Sequence, residues 1–302
     1  MPAGLLGIEE LDRGEIEAIL TRAKDYQPMQ DHAFKRLDIL RGRMIVSLFF
    51  EASTRTRTSF EIAARRLGAD AISITAAGSS LSKGESLVDT LNTLVAMRPN
   101  AVVMRHSASG APHFLARHLP IPIINAGDGT HEHPTQALLD ARTILDFKPS
   151  LEGLRVAIIG DIAHSRVARS NIHLLSKFGA DIVLCGPASL VPQELAAIAP
   201  GVRISYDMAE AIQDVDVIMM LRVQLERQHE ASFPAGEYFQ YYGLRLEHLD
   251  LARPNVIVMH PGPINRGREI SSEVADSQRS VILNQVENGV AVRMAVLERI
   301  LA

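Results

Sequence analysis

A single cysteine, Cys185, stands in 302 residues, so no intrachain disulfide can hold the fold and no multi-thiolate metal site is available. No apolar run approaches the roughly 18 residues of a membrane span. Met1 to Glu10 has no basic region followed by an apolar stretch and a small-residue cleavage site. A cytoplasmic protein without a membrane contact is therefore expected. The net charge is only −4, which removes any global case for nucleic-acid binding. Glycine (20) and proline (15) are at ordinary levels, and no repeat, low-complexity tract or Pro/Gly-rich linker interrupts the chain. Disorder and collagen are excluded.

What is present is patterned. The length suits two domains of roughly 150 residues. From about residue 43 onward, short apolar runs alternate with amphipathic segments, the signature of parallel strands joined by crossover helices. The class is α/β, with two doubly wound parallel-sheet domains linked by helices. An opening helix over Glu9 to Tyr26 buries Leu11, Ile16, Ile19 and Leu20. Strands are expected at Met44 to Phe50, Ala71 to Thr75, Ala101 to Met104 and Ile121 to Asn125. A second series follows at Arg155 to Ile159, Asp181 to Cys185, Val202 to Ser205, Val215 to Leu221 and Asn255 to Met259. A helix over His133 to Phe147 links the halves, and a last one over Gln285 to Leu301 packs back on the first. The expected division is 1–134 with 285–302 against 135–284.

The chemistry-bearing residues lie where strands end. After Met44 to Phe50 comes Ser53-Thr54-Arg55-Thr56-Arg57-Thr58, followed by a helical period at Phe60, Ala63, Ala64 and Leu67. One hydroxyl there would be only an N-cap. Six hydroxyl and guanidinium side chains in a row at a helix N-terminus suit a phosphate, because the exposed N–H groups, the dipole and a forked Arg all favour an anion. Arg105 places a second cation at a strand's carboxyl end, where open α/β sheets bind ligands. Arg166 follows Gly160 at the start of a helix, and the single glycine there does not make the G-x-G-x-x-G fingerprint. Likewise Ser79 to Ser86 is a polar loop that does not fit G-x-x-x-x-G-K-[ST]. Arg222 to Gln228 form a further basic cluster, and His260-Pro261-Gly262-Pro263 is a rigid turn able to offer carbonyls to a ligand. His131 and His133 suggest the metal pair of an amidohydrolase, but no second histidine cluster or carboxylate spacing completes it. No metal is assigned.

Taken together, FFEASTRTRTSFE, SLSKGES, GDGTHEHPTQALLD, GDIAHSRVARSN, LRVQLERQ and MHPGPINRG, spread over residues 49–267, closely resemble the aspartate/ornithine carbamoyltransferase family. The STRTR and HPTQ runs are the most specific. The resemblance implies transfer of the carbamoyl group of carbamoyl phosphate to an amine, with a carbamoyl phosphate-binding first domain, an aspartate-binding second domain and no cofactor. It implies that Ser53, Thr54, Arg55 and Thr56 hold the phosphate. Thr56, Arg105 and His133 would meet the carbonyl oxygen, with Gln136 near the carbamoyl nitrogen and the Gly262-Pro263 turn beside it. Arg166, Arg222 and Gln224 would hold the two carboxylates of L-aspartate. Ser80 and Lys83 would enter from a neighbouring subunit of a homotrimer, with Ser79 as a rival to Ser80. Assembly of trimers with a regulatory chain or a dihydroorotase is compatible with the resemblance.

The acceptor rests on fewer residues. Arg222 and Gln224 look like an aspartate pair, and the HPGP turn lacks the cysteine of the ornithine enzymes' H-C-L-P. HPGP also departs from the HPLP of the best-known aspartate enzymes, so Gly262 keeps a carbonyl but no leucine side chain. Ornithine transfer and a non-catalytic subunit are the competing readings. The second is weakened because every expected catalytic position is occupied. Charge arithmetic agrees: carbamoyl phosphate carries about −2 and aspartate two carboxylates, and clustered Arg and Lys offset their repulsion.

Overall fold

The computed structural model describes residues 4–27, 36–75, 86–223 and 235–302, which fall into two compact units, Met1–Arg142 with Val286–Ala302, and Thr143–Gln285. In chain order the first unit contains α1 (Arg13–Tyr26), β1 (Met44–Phe49), α2 (Thr54–Arg66), β2 (Asp70–Thr75), α3 (Leu87–Ala96), β3 (Ala101–His106), α4 (Ala111–His118) and β4 (Ile123–Asp128). Helix α5 (Pro134–Phe147) carries the chain into the second unit. That unit contains β5 (Arg155–Ile159), α6 (Arg166–Lys177), β6 (Asp181–Cys185), β7 (Val202–Ser205), α7 (Met208–Ile212), β8 (Val217–Met220), α8 (Ala235–Tyr242), β9 (Ile257–Met259) and α9 (Ser272–Ala275). The chain closes on α10 (Ile282–Leu301), which from Val286 onward belongs to the first unit.

Both sheets are parallel throughout, in the orders β2-β1-β3-β4 and β7-β6-β5-β8-β9. This is the doubly wound α/β class that the alternation predicts. The strands read as continuous apolar runs because helices cover both faces of such sheets. Val46, Leu48, Val102, Met104 and Ile123 join Leu91 of α3 and Leu115 of α4 in one buried cluster. Ala157, Ile159, Val183, Ile218, Met220 and Val258 form the corresponding core of the second unit. Each of these side chains larger than alanine contributes about 1.5–3 kcal/mol by leaving water. Cys185 lies fully inside this core, and burial pushes its thiol up to about 12, so it is an inert core residue.

Several boundaries move by one to three residues from the apolar pattern: β3 runs on to His106, β8 is shorter at Val217–Met220, β9 starts at Ile257 and α10 at Ile282. At two others, the start of α1 and that of β4, a local reason is plain. Helix α1 starts at Arg13 because Asp12 caps it, accepting from the Glu15 N–H at 2.7 Å while Glu15 Oε2 accepts from the Asp12 N–H at 3.0 Å. That is a capping box, and it starts the helix four residues, about one turn, later than Glu9. Strand β4 begins only after Pro122, which has no N–H to donate, and runs on to Asp128. Its outer edge is covered: Leu5 N–H donates to Ile123 O at 3.0 Å and Asn125 N–H to Leu5 O at 2.8 Å.

Candidate active site

In each sheet the connections diverge from one pair of neighbouring strands, and that is where ligands bind in open α/β sheets. In the first unit the pair is β1 and β3. Residues Phe49 and Arg105 are in register across it, and the Phe50 N–H donates to Arg105 O at 2.9 Å. The Arg105 guanidinium is held on two sides: Nε faces Glu51 Oε2 at 3.4 Å, and Nη1 donates to Ala126 O at 3.2 Å. A single arginine thus bridges the loop after β1 and the end of β4.

Beyond Glu51 the chain turns at Ser53 (φ −158°, ψ 94°) into α2. This helix start is unusual in what it leaves undone. The Ser53 hydroxyl makes no cap hydrogen bond, and no acidic side chain sits in the first turn. An N-terminus normally attracts one or the other, because its N–H groups lack partners within the helix. Here Thr54 and Arg55 of the first turn are exposed and Thr56 is buried. The helix end is open to an external anion, with a guanidinium beside it.

The end of β4 supplies the third part. Asp128 is fully buried and accepts from Asn125 Nδ2 at 2.8 Å, Gly110 N–H at 2.6 Å and Glu132 N–H at 3.2 Å, with the His131 ring at 3.2 Å. Burial raises this carboxyl, but the hydrogen bonds from His131, Asn125 and Gly110 outweigh it and hold the pKa below the usual value. The same bond holds His131 above its ordinary 6.5 against partial burial. Among the described residues, His113, Asp128 and His131 form the one group able to gather around a metal ion. Asp128 is already saturated by donors that shape the turn, so we read the group as structural. The turn so fixed delivers His133, buried, immediately before Pro134 of α5. Its carbonyl accepts the Gln136 N–H at 2.9 Å, and Gln136 is buried in the first turn of the helix.

In the second unit the diverging pair is β5 and β8, in register at Ile159 and Met220. Gly160, at φ 141°, lies so near β8 that a Cβ would stand 2.8 Å from Leu221 O and 2.9 Å from its Cβ. Its conservation of space is a packing need, not a pyrophosphate fingerprint. From these two strand ends come Arg166, buried at the first position of α6 under the Ser165 cap, and Arg222, half-buried after β8. After β9, Gly262 at φ 67° takes a conformation that leucine adopts only with strain. The turn is braced from inside: Gly262 N–H donates to His260 Nδ1 at 2.8 Å, and His260 N–H donates to Gln285 Oε1 at 2.9 Å. The His260 ring also meets buried Glu269 at 3.2 Å. With Nδ1 occupied as an acceptor, Nε2 carries the proton and donates to Glu269.

Each unit therefore gathers its own set: Ser53, Thr54, Arg55, Thr56, Arg105, His133 and Gln136 in the first, Arg166, Arg222 and the Gly262-Pro263 turn in the second. Ser79, Ser80, Lys83 and Gln224 lie outside the described residues. Comparison with known proteins gives this arrangement a context. The family model for the aspartate/ornithine carbamoyltransferase carbamoyl-P binding domain matches residues 4–146, and that for the Asp/Orn binding domain matches residues 152–300. The aspartate carbamoyltransferase catalytic subunit of Solibacter usitatus is 81% identical over 301 residues, 100% of both chains. The chain belongs to the aspartate/ornithine carbamoyltransferase family. Among solved structures, aspartate transcarbamoylase from Trypanosoma cruzi in complex with carbamoyl phosphate and aspartate is 33% identical with a TM-score of 0.87, covering 99% of this chain and 95% of that one. Ornithine carbamoyltransferase from Pyrococcus furiosus is 30% identical with a TM-score of 0.88, covering 97% and 95%.

The structure of this carbamoyltransferase also adds residues that motif reading passes over. Glu51 precedes the STRTR run directly and orients Arg105. Glu269 and Gln285 brace the HPGP turn. Asp140 stands four residues after Gln136, hence on the same face of α5, and takes the Gln136 Nε2 at 2.9 Å. The i, i+4 spacing was a usable signal for the last, whereas Glu269 and Gln285 are brought to the turn by tertiary folding alone.

Proposed function

We propose that the protein is an aspartate carbamoyltransferase, which transfers the carbamoyl group of carbamoyl phosphate to the amine of L-aspartate to give N-carbamoyl-L-aspartate and phosphate, a step of pyrimidine biosynthesis. The observation that carries this reading is the set of donors at the β1, β3 and β4 ends, matched to a full-length relative named for that reaction at 81% identity. In this reading the open end of α2, with Ser53, Thr54, Arg55 and Thr56, holds the phosphate. Thr56, Arg105 and His133 meet the carbonyl oxygen, and the Gly262-Pro263 turn offers carbonyls near the carbamoyl nitrogen. Arg166, Arg222 and Gln224 hold the aspartate carboxylates.

The deprotonated aspartate amine attacks the carbamoyl carbon, a tetrahedral oxyanion forms, the C–O bond to phosphate breaks, and phosphate leaves with its electron pair. The charge that develops on the carbonyl oxygen meets donors already in place. Arg105 is fixed by Glu51 and Ala126 O before any ligand arrives, which is the preorganisation that stabilises such an oxyanion. His133 serves as a donor, and the departing phosphate is a competent acceptor for the amine proton. Nothing in this chemistry calls for a cofactor. Pro261, where the ornithine enzymes' H-C-L-P turn carries its cysteine, and Arg222 at the β8 end favour a carboxylate-bearing acceptor over ornithine. The test is an assay of carbamoyl phosphate with aspartate and ornithine side by side; faster turnover with ornithine overturns the assignment.

A homotrimer with Ser80 and Lys83 entering the neighbouring site is part of the same proposal. Supporting it, β2 is an edge strand with Ile72 half exposed, and α3 buries only Thr90 and Leu91 while Leu87, Val88, Leu94 and Val95 remain partly open and Met97 is exposed. Such a face suits a second copy of the chain. No described helix is long and apolar enough to cross a membrane, and a cytoplasmic location completes the proposal.

A further inference from the structure

The first unit buries an arginine together with a carboxylate whose charge acts on it, and the motifs do not explain either. Arg293 of α10 is 3% exposed and Asp140 of α5 is fully buried. Burial pushes the Arg293 pKa down to about 10, with the Asp140 charge opposing the fall, so the guanidinium stays protonated at neutral pH. A charge of this kind inside a core is retained only with a counter-charge. Its surroundings are shaped to hold it. Nη1 donates to Gly289 O at 2.9 Å, and the guanidinium lies 5.1 Å from the centre of the Phe60 ring. Gly289 sits inside α10, where glycine is less favourable than alanine by about 1 kcal/mol. A Cβ there would stand 2.7 Å from Arg293 Nη1 and 3.3 Å from Leu139 Cδ2, so the glycine makes room for the arginine.

Phe60 lies one turn beyond Thr56 on α2, and Asp140 one turn beyond Gln136 on α5. Arg293 thus meets α2 at Phe60 and Asp140 stands on α5 itself, so each of the two helices whose first turns carry the candidate site is touched by one of these charges. The Gln136 side chain donates Nε2 to Asp140 Oδ1 at 2.9 Å. An ionised carboxylate only accepts, so this contact decides which way the amide faces. Nε2 is committed to Asp140, and Oε1 lies on the other side of the amide carbon as an acceptor.

We propose that Asp140, charge-balanced by Arg293, is a positioning residue for carbamoyl transfer: it locks the Gln136 amide so that an acceptor, and not a donor, is presented to the carbamoyl NH2. The inference rests on the proposed carbamoyl phosphate site. It explains how a site would tell a carbamoyl group from an acetyl group of nearly the same shape, since only the first offers N–H.

The test uses the full chain in its native assembly and acetyl phosphate as the probe, read as a competitor of carbamoyl phosphate. The quantity is the ratio of the acetyl phosphate Ki to the carbamoyl phosphate KM, which does not depend on the fraction of active protein. In Asp140→Asn the partner can donate as well as accept, so the amide loses its direction, and the ratio should fall about three- to tenfold. Gln136→Met, which leaves the Asp140–Arg293 pair whole, should lower it at least as far. An unchanged ratio in Asp140→Asn, even with a reduced kcat, would make Asp140 a core residue only and overturn the proposal. If that variant does not fold, an unchanged ratio in Gln136→Met overturns it equally. A wild-type protein that makes no carbamoylaspartate instead removes the functional reading beneath it.

Discussion

The uncapped start of α2 offers a direct trade of activity against stability. Replacing Ser53 with Asp puts the preferred capping group at a position that already has the extended geometry of an N-cap. A new side-chain bond to the first-turn N–H groups, plus a negative charge at the positive end of the helix, should stabilise the first unit by about 1–2 kcal/mol. For a unit of this size that raises Tm by about 2–8 °C. The same carboxylate occupies the place proposed for the phosphate. Unit charges 4 Å apart repel by about 4 kcal/mol at an effective dielectric of 20. Allowing for the exposure of Arg55 and its neighbours, on the order of 2–4 kcal/mol remains, a loss of roughly 30- to 1000-fold in carbamoyl phosphate affinity.

Scanning calorimetry and initial rates against carbamoyl phosphate concentration measure the two effects on one preparation. Ser53→Ala is the control: no cap bond exists to lose, so Tm should change by less than about 2 °C. A Ser53→Asp protein that melts lower than wild type, or that keeps wild-type carbamoyl phosphate affinity, would show that this helix end is not an anion site.

Three further outcomes are expected. Arg222→Ala should raise the aspartate KM at least about tenfold, the loss of one charge-assisted hydrogen bond, and leave carbamoyl phosphate affinity near wild type; equal losses in both would move Arg222 out of its role. His131 is held above 6.5 by its hydrogen bond to Asp128, so its contribution to stability is fully present below that pH and fades as pH rises through the folded-state value. The difference in urea midpoint between wild type and His131→Asn should therefore shrink between pH 6 and pH 8.5, and a difference that grows would contradict the sign. Finally, Lys83→Ala and His133→Ala chains should each be nearly inactive alone, but after reversible dissociation and mixing, hybrids confirmed by native mass spectrometry should recover part of the wild-type rate. Confirmed hybrids without activity would mean that the site is not shared.

Most of the fold was legible because buried parallel strands announce themselves. Arg155 to Ile159, Asp181 to Cys185 and Val202 to Ser205 are apolar runs whose ends coincide with the strands. Helix starts and mixed ends were harder. A hydrophobic count places α1 at Glu9, whereas the Asp12 and Glu15 capping box places it at Arg13, and the sequence pattern D-x-x-E carried that information. Strand β4 continues through Gly127 and Asp128, residues of low strand propensity that are held there by the hydrogen bonds converging on Asp128. In the site, the residues that touch a ligand in the proposed reading are polar groups at strand ends and stood out. Those that orient them did not: Glu51, Glu269 and Arg293 act through contacts made only by folding. Arg293 nevertheless left a trace, a lone cation amid Val290 to Leu297 on a helix face that is otherwise buried.

The two sheets differ in strand order but share one device, and that device accounts for the placement of every described cation in the proposed site. From β1 the chain crosses to β2 on one side, and from β3 to β4 on the other, so the ends of β1 and β3 are left without a crossover above them. The β5 and β8 ends are bare in the same way, with β6 to one side and β9 to the other. Parallel strands also direct every carboxyl end to one edge of the sheet. A side chain in the last two residues of such a strand, or up to seven residues past its end, is therefore delivered to the open crevice of its own sheet whatever its motif. Arg55 and Arg105 are delivered by the first sheet, Arg166 and Arg222 by the second. This is why the phosphate-loop and dinucleotide fingerprints are absent while the charge pattern at strand ends is informative: in each sheet the crevice is made by topology, and the sequence has only to place cations and hydroxyls at its rim.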